Sequence, residues 1–166
     1  MLVITAPKVD VSPEILRGKA RDTLPLTWEE RRWSRKRVTT AGGREVALAL
    51  PTGTVLEPGA VILVEADWYV TVEGRPEPVL AVTPRDCAEA VRIAFDIGNR
   101  HFPLALDAER LLVPDDSAME QLLSRLGARW ERRQAVFEPF GTGHRHADGA
   151  SPVEGDTRLD SRQRRG

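Results

Sequence analysis

Through residues 41–78, glycine and proline interrupt the chain so often that no long helix fits between them. Ala41-Gly42-Gly43, Pro51-Thr52-Gly53, Pro58-Gly59 and Glu73-Gly74-Arg75-Pro76-Glu77-Pro78 are all turn signals, since glycine supplies positive φ and proline removes a backbone donor. The intervals left are strand-sized. Residues 44–50 alternate loosely, Val55-Leu56 is a short apolar step, and residues 61–65 and 68–73 are rich in β-branched and aromatic side chains. Ahead of them, after a polar start carrying Pro7, Pro13 and Pro25, residues 31–40 form a charged, strand-like stretch. Short strands punctuated in this way predict a small sheet pair or open barrel with few helices.

Past residues 73–78 the pattern changes, and that polar, proline-bearing segment is the candidate domain boundary. Residues 79–82 read as a strand. Thr83-Pro84-Arg85-Asp86 then reads as a helix start, with Thr83 as N-cap and Pro84 at the first helical position. The spacing predicts a helix over 86–97, with Cys87, Val91 and Ala94 on its apolar face and Gly98 as the left-handed residue that ends it. Two strands follow, 104–106 and 110–113, joined by Asp107-Ala108-Glu109. Pro114-Asp115-Asp116-Ser117 opens a second helix, with both aspartates as capping groups. Met119, Leu122, Leu123 and Leu126 form its buried face, Gly127 ends it, and residues 129–137 supply a final strand. The order β-α-β-β-α-β is that of a ferredoxin-like split βαβ unit. From Gly141 onward Val153 and Leu159 are the only large aliphatic residues, too few to offset the entropy of ordering, so a disordered tail is expected. The expected fold class is therefore α+β: an N-terminal all-β domain over residues 1–75, a ferredoxin-like βαββαβ domain over 76–140, and a flexible tail over 141–166.

Charge narrows the partners. Lysine and arginine number 24 against 25 acidic residues, so no global field draws the chain to nucleic acid or an anionic membrane. The run Arg31-Arg32-Trp33-Ser34-Arg35-Lys36-Arg37 has two readings: a track for a nucleic-acid backbone with Trp33 stacking on a base, or a solvated strand face whose arginine stems cover apolar surface. The near-zero net charge favours the second. No apolar run approaches the roughly 18 residues of a spanning helix, and Met1-Leu2-Val3-Ile4-Thr5 is too short for a signal peptide, so a cytoplasmic protein is the default expectation. The single cysteine, Cys87, excludes an internal disulfide and a cysteine-rich zinc site, and reads as a small core residue. Glycine-rich phosphate loops, a Ser-His-Asp order and paired carboxylates in apolar settings are all missing, which weakens enzymatic readings.

The histidines remain. Gly98-Asn99-Arg100-His101 falls between a helical and a strand-like run and holds the only histidine in the first 143 residues. The other two, His144 and His146, sit in Gly141-Thr142-Gly143-His144-Arg145-His146 among small and polar residues. Neutral imidazole suits nickel, zinc and copper, and suits calcium or magnesium poorly. One imidazole is not a site, because even a tetrahedral ion wants about four donors. A two-fold axis would supply the second copy of His101, and the tail pair could close over the ion. Against this stand blander readings. A lone histidine after a helix stop is most often a surface residue, and a tail pair can arise by chance. Asp96 could lend an oxygen, although a solvated carboxylate near a helix end is the commoner outcome. A hydrolase using metal-bound water at His101 lacks a second fixed ligand and a general base.

Ala94-Phe95-Asp96-Ile97-Gly98-Asn99-Arg100-His101-Phe102-Pro103-Leu104 resembles the signature of the urease accessory protein E family, the nickel metallochaperones, which typically reads Ala-Tyr-His-Leu-Gly-Asn-Arg-His, an apolar residue and Pro. Residues 31–37 resemble that family's early arginine-rich strand, and residues 122–127 its helix ending in Leu-Gly. Phe137-Glu138-Pro139 and Gly143-His144-Arg145-His146 are similar to the Phe-Glu-Pro segment and the histidine tail. The resemblance implies a non-enzymatic homodimer that carries Ni(II) as cargo at its axis, with Zn(II) or Cu(II) as in vitro substitutes. One His101 from each subunit would bind the ion, and His144 or His146 would complete the shell. It further implies delivery to urease apoprotein through an accessory complex that includes a GTPase, with the basic N-terminal domain as the expected surface for that complex. Asp96 stands where the family often has a second histidine, and Asp115 and Ser117 where some members have a peripheral pair. The alternative from the residues alone is a β-domain adaptor or RNA-binding module that uses residues 31–37.

Overall fold

The computed structural model describes residues 1–141. The tail segment 142–166, with His144 and His146, lies outside the described residues. The first half of the chain builds two three-stranded sheets. One has the order β1-β4-β3, from Leu2–Ile4 (β1), Arg35–Thr39 (β3) and Glu45–Ala49 (β4). The other has the order β2-β6-β5, from Ala20–Leu26 (β2), Val61–Val64 (β5) and Trp68–Gly74 (β6). A single helical turn (α1, Pro13–Leu16) precedes β2. Alternation decides which side chains meet: Val46 and Leu48 of β4, Leu24 and Leu26 of β2, and Val70 and Val72 of β6 point into one core with Ile4, Leu50, Leu56 and Ile62.

Several expectations change here. The proline-bearing start contains two strands, each paired in parallel: β1 with β4 and β2 with β6. Pro25 is tolerated because β2 is an edge strand, where a missing N–H breaks no ladder. Residues 31–40 are not one strand. Thr27 and Glu30 bond reciprocally, Thr27 N–H to Glu30 Oε2 at 2.8 Å and Glu30 N–H to Thr27 Oγ1 at 3.4 Å, and this opens a helical turn, Glu30–Arg32, before β3 begins. Arg31 is thereby buried instead of lying on a solvated face. Val55-Leu56 is no strand either; Leu56 plugs the core while its N–H donates to the Arg31 carbonyl.

The second half forms a four-stranded antiparallel sheet, order β10-β7-β9-β8, from Glu77–Val82 (β7), Ala105–Asp107 (β8), Arg110–Pro114 (β9) and Trp130–Ala135 (β10). Helices Cys87–Asn99 (α2) and Ser117–Arg125 (α3) cover one face, burying Ile93, Ile97, Met119, Leu122 and Leu123 against Leu80, Val82, Leu111 and Val113. This is the ferredoxin-like arrangement the element order predicts. Asp116 caps α3, accepting from Ala118 N–H at 2.8 Å and Met119 N–H at 3.3 Å. Asp115 is not a cap; its carboxylate accepts from Arg132 Nε at 3.3 Å.

The opposite face of that sheet is covered by the first half of the chain. Trp28 and Phe137 pack edge to face, centroids 6.3 Å apart at 84°, over Val79, Ala81, Ala105 and Leu112. Four successive residues of β7, Val79 to Val82, are consequently buried. Beside this pair Arg31, only 3% exposed, donates to the Phe137 carbonyl and lies 3.9 Å from Glu138. Burial lowers its pKa, with Glu138 and Glu77 opposing the shift; the guanidinium stays cationic.

Removing a buried donor strands its acceptor, so Arg31→Ala is expected to cost about 2–4 kcal/mol in urea unfolding, and Arg31→Met, which refills the volume, distinctly less. Equal, negligible losses in both variants would show that this cation does not hold the two halves together.

Candidate functional site

Helix α2 carries the candidate metal-binding loop at its C-terminal end, and its start differs from expectation. Thr83 does not cap it: the helix begins only at Cys87, and Thr83 still belongs to the sheet, its N–H donating to the Arg129 carbonyl at 2.9 Å. The N-cap is Asp86, whose side chain accepts from Glu89 N–H at 2.8 Å. Glu89 reaches back, accepting from Arg85 N–H at 2.5 Å and from the Arg85 guanidinium at 2.6 and 3.0 Å. These bonds, the guanidinium's first, hold the Glu89 carboxyl down at about 2. A folded-state pKa below the unfolded one stabilises the helix start above the ordinary carboxylate range; that contribution is lost as pH falls toward 2.

The helix is also rotated relative to the predicted face. Ile93 and Ile97 are buried, with Ala90 and Ala94 half-buried, whereas Cys87 is exposed, Val91 is 64% exposed and Phe95 70%. Cys87 is therefore not a core residue. Cys87, Val91 and Phe95, four apart, form an apolar stripe facing away from the sheet.

Gly98 is not the left-handed residue; it lies within α2. That conformation belongs to His101, at φ 60°. His101 N–H donates to Gly98 O at 2.9 Å and Phe102 N–H to Ile97 O at 3.4 Å, the paired bonds of a Schellman motif with His101 at C′. Phe102 packs on the core cluster that includes Ile97, the apolar contact this motif favours. Helix α3 ends in the same way. Gly127 N–H donates to Ser124 O and Ala128 N–H to Leu123 O, both at 3.1 Å, with Gly127 at φ 64°. The two stops thus share one geometry, and at the left-handed position one carries histidine and the other glycine. A side chain in that conformation costs roughly 1–2 kcal/mol.

The loop leaves His101 exposed on the wall of a groove of about 910 Å³. Its other walls come from Trp28, Trp33, the 52–55 turn and Phe140. Trp28, Phe140 and that turn carry no sequence signal of a site; they arrive only through tertiary packing. The carbonyl end of α2 points toward the loop and its last turn holds no basic side chain, while Arg100 beside His101 and Arg32 on the groove wall oppose a cation and Glu29 favours one. Asp96 is half-buried in that turn, and Arg100, the C-cap, is exposed. Among the described residues no three His, Cys, Asp or Glu side chains converge, so His101 offers one donor per chain and Asp96 completes no cluster with it.

Two family models match the chain: "UreE urease accessory protein, N-terminal domain" over residues 7–74, and "UreE urease accessory protein, C-terminal domain" over residues 77–160. The chain is similar to proteins named urease accessory protein UreE in several bacteria. It is 36% identical to that of Paraburkholderia xenovorans over 147 residues, 86% of this chain and 64% of the relative. It is 41% identical to that of Ralstonia nicotianae over 132 residues, 77% of this chain and 63% of the relative. With that of Cupriavidus necator it shares 35% identity over 156 residues, 92% of this chain and 80% of the relative.

His101→Gly relieves the left-handed strain and is expected to raise unfolding stability by roughly 0.5–1 kcal/mol, while His101→Ala, still strained, changes it little. A loss on His101→Gly in urea unfolding would mean that the imidazole is a structural group.

Proposed function

The chain belongs to the UreE family of urease accessory proteins, and from that premise we propose that it is a non-enzymatic nickel metallochaperone that hands Ni(II) to urease apoprotein during assembly of its active site. The observation that carries this reading is His101 in a left-handed slot that α3 fills with glycine. Strain retained at an exposed side chain points to use of that side chain. Imidazole is a borderline ligand suited to nickel, and the carbonyl end of α2 favours a cation beside it.

One donor per chain requires a second copy. The exposed stripe of Val91 and Phe95 lies on the same helix, ahead of the His101 loop, and supports a homodimer whose axis would bring two His101 rings to one ion. His144 and His146 follow Gly141, a residue on the wall of the His101 groove, and would complete the shell. In this reading residues 76–140 form the metal-binding domain and residues 1–75 the docking domain for the accessory complex with its GTPase. The setting would be cytoplasmic; no helix among the described residues is long and apolar enough to cross a membrane.

Nickel calorimetry on the full chain is expected to give one tight site per dimer. His101→Ala should weaken it on the order of 100-fold or more, and truncation after Gly141 should weaken it less while leaving the dimer intact. Unchanged affinity in His101→Ala would remove the reading. Independently, Phe95→Glu places a charge in the apolar stripe and is expected to yield monomers in sedimentation analysis, with nickel affinity falling in parallel. Intact dimers would move the axis elsewhere.

A further inference from the structure

Strand β3 is an open edge of its sheet, since β4 pairs with it on one side only. The Leu50 N–H donates to Ser34 O at 2.7 Å and the Thr40 N–H to Arg44 O at 2.9 Å, so the even-numbered residues of this stretch face β4. Antiparallel alternation then turns the N–H and C=O groups of Arg35, Arg37 and Thr39 outward, and all three residues are exposed. Their side chains share the face opposite Val38, which packs on the core. Among the described residues Arg35, Lys36 and Arg37 form no ion pair.

An unpaired edge invites another strand, and like charges are a common defence. Here the defence is selective. A second copy of β3 would meet three cations with three cations, whereas an extended acidic segment would gain both main-chain bonds and opposite charge. The strand also leads to the metal loop, because Ser34 and Trp33, just before Arg35, line the groove that holds His101. Nucleic acid fits less well. Sequence-tolerant binding to a single strand uses exposed aromatic platforms, but Trp33 packs against the core of the first two sheets and has Lys36 over its ring at 5.1 Å.

We propose that β3 is a docking edge for an extended acidic segment of a partner protein, which adds as a fourth strand to the β1-β4-β3 sheet, sets its carboxylates against Arg35 and Arg37, and runs toward the His101 groove. The accessory-protein reading enters only in taking the partner to be a protein.

The probe is a fluorescent peptide of about ten residues alternating Glu and Val, titrated with the full chain and read by anisotropy. Saturable binding that weakens with salt is expected. The double variant Arg35→Glu/Arg37→Glu should weaken it roughly tenfold or more. N-methylation of alternate peptide amides should weaken it comparably for one of the two alternating sets, the set facing β3, and little for the other. The methylated peptides are read on the unmodified chain, so the test stands even if the double variant misfolds. Loss from both methylated sets alike or from neither, insensitivity to charge reversal, or tighter binding of a single-stranded uridine oligomer would each overturn the proposal. Nickel calorimetry on the double variant separates the two readings: metal binding should persist whichever way the peptide result falls, because none of these residues is a ligand.

Discussion

A buried cation joins the two halves of this molecule. The Arg31 guanidinium reaches from the helical turn after β2 to the carbonyl of Phe137, just beyond β10. Burying an arginine costs several kcal/mol unless its donors and charge are matched. Here the charge is met by Glu138 at 3.9 Å and the face of Trp28 at 5.8 Å from the guanidinium carbon. The same turn is tied down twice more, by Trp28 N–H to Glu77 Oε2 at 2.7 Å and by Arg75 to Glu30 Oε2 at 2.9 Å. Nearby Gly74 has no side chain because a Cβ there would come within 2.4 Å of Val136. The Arg31 Nε has no partner among the described residues, so the junction is specified by position more than by complete hydrogen bonding.

The groove beside His101 depends on that junction. One wall belongs to residues that Arg31 and Trp28 hold in place, and the other to the end of α2 and the exit of β10. The Phe140 N–H donates to the Leu104 carbonyl at 2.8 Å, which fixes where the chain leaves the described structure relative to His101. The left-handed backbone at His101 persists because the Schellman bonds and the packed Phe102 over-determine it. At this helix end the left-handed conformation falls on His101; the other non-glycine residue with positive φ among those described, Ala108 at 52°, lies in the β8–β9 turn.

Local pattern made much of this legible. Helix α3, its Asp116 cap and its glycine stop read directly from spacing, as did the βαββαβ order, because each element carries its own periodicity. The misreadings have physical causes. Thr83-Pro84 looked like a helix start, but the sheet runs on through Thr83 and the Asp86 carboxylate takes the cap three residues later. Gly98 looked like a helix stop because glycine is the usual C′ residue, and the run to Phe102 showed no reason for histidine to take that role. Cys87 and Val91 looked like part of a buried face with Ala94, yet Ile93 and Ile97 occupy the sheet contact. Parallel pairing of β1 and β2 has no local signature at all, since the partners lie far along the chain. The groove is illegible for the same reason: Trp28, the 52–55 turn and Phe140 meet only after the halves dock.

A carrier of metal must hold its cargo less firmly than the destination does, and on the proposed reading the architecture meets that need by dispersing the donors. The described fold fixes only one imidazole per chain, and it offers no thiolate there, Cys87 being at the far end of α2. Every further donor would come from a second copy or from residues beyond 141, so each can depart without breaking a core contact of the chain that holds His101. Release on that reading requires withdrawing those donors instead of unfolding a site. The left-handed backbone at His101 leaves this balance unchanged, because its cost is borne alike with and without the ion. What the fold does keep rigid, the end of α2 and the aromatic wall opposite, sets the direction of approach for whatever receives the cargo.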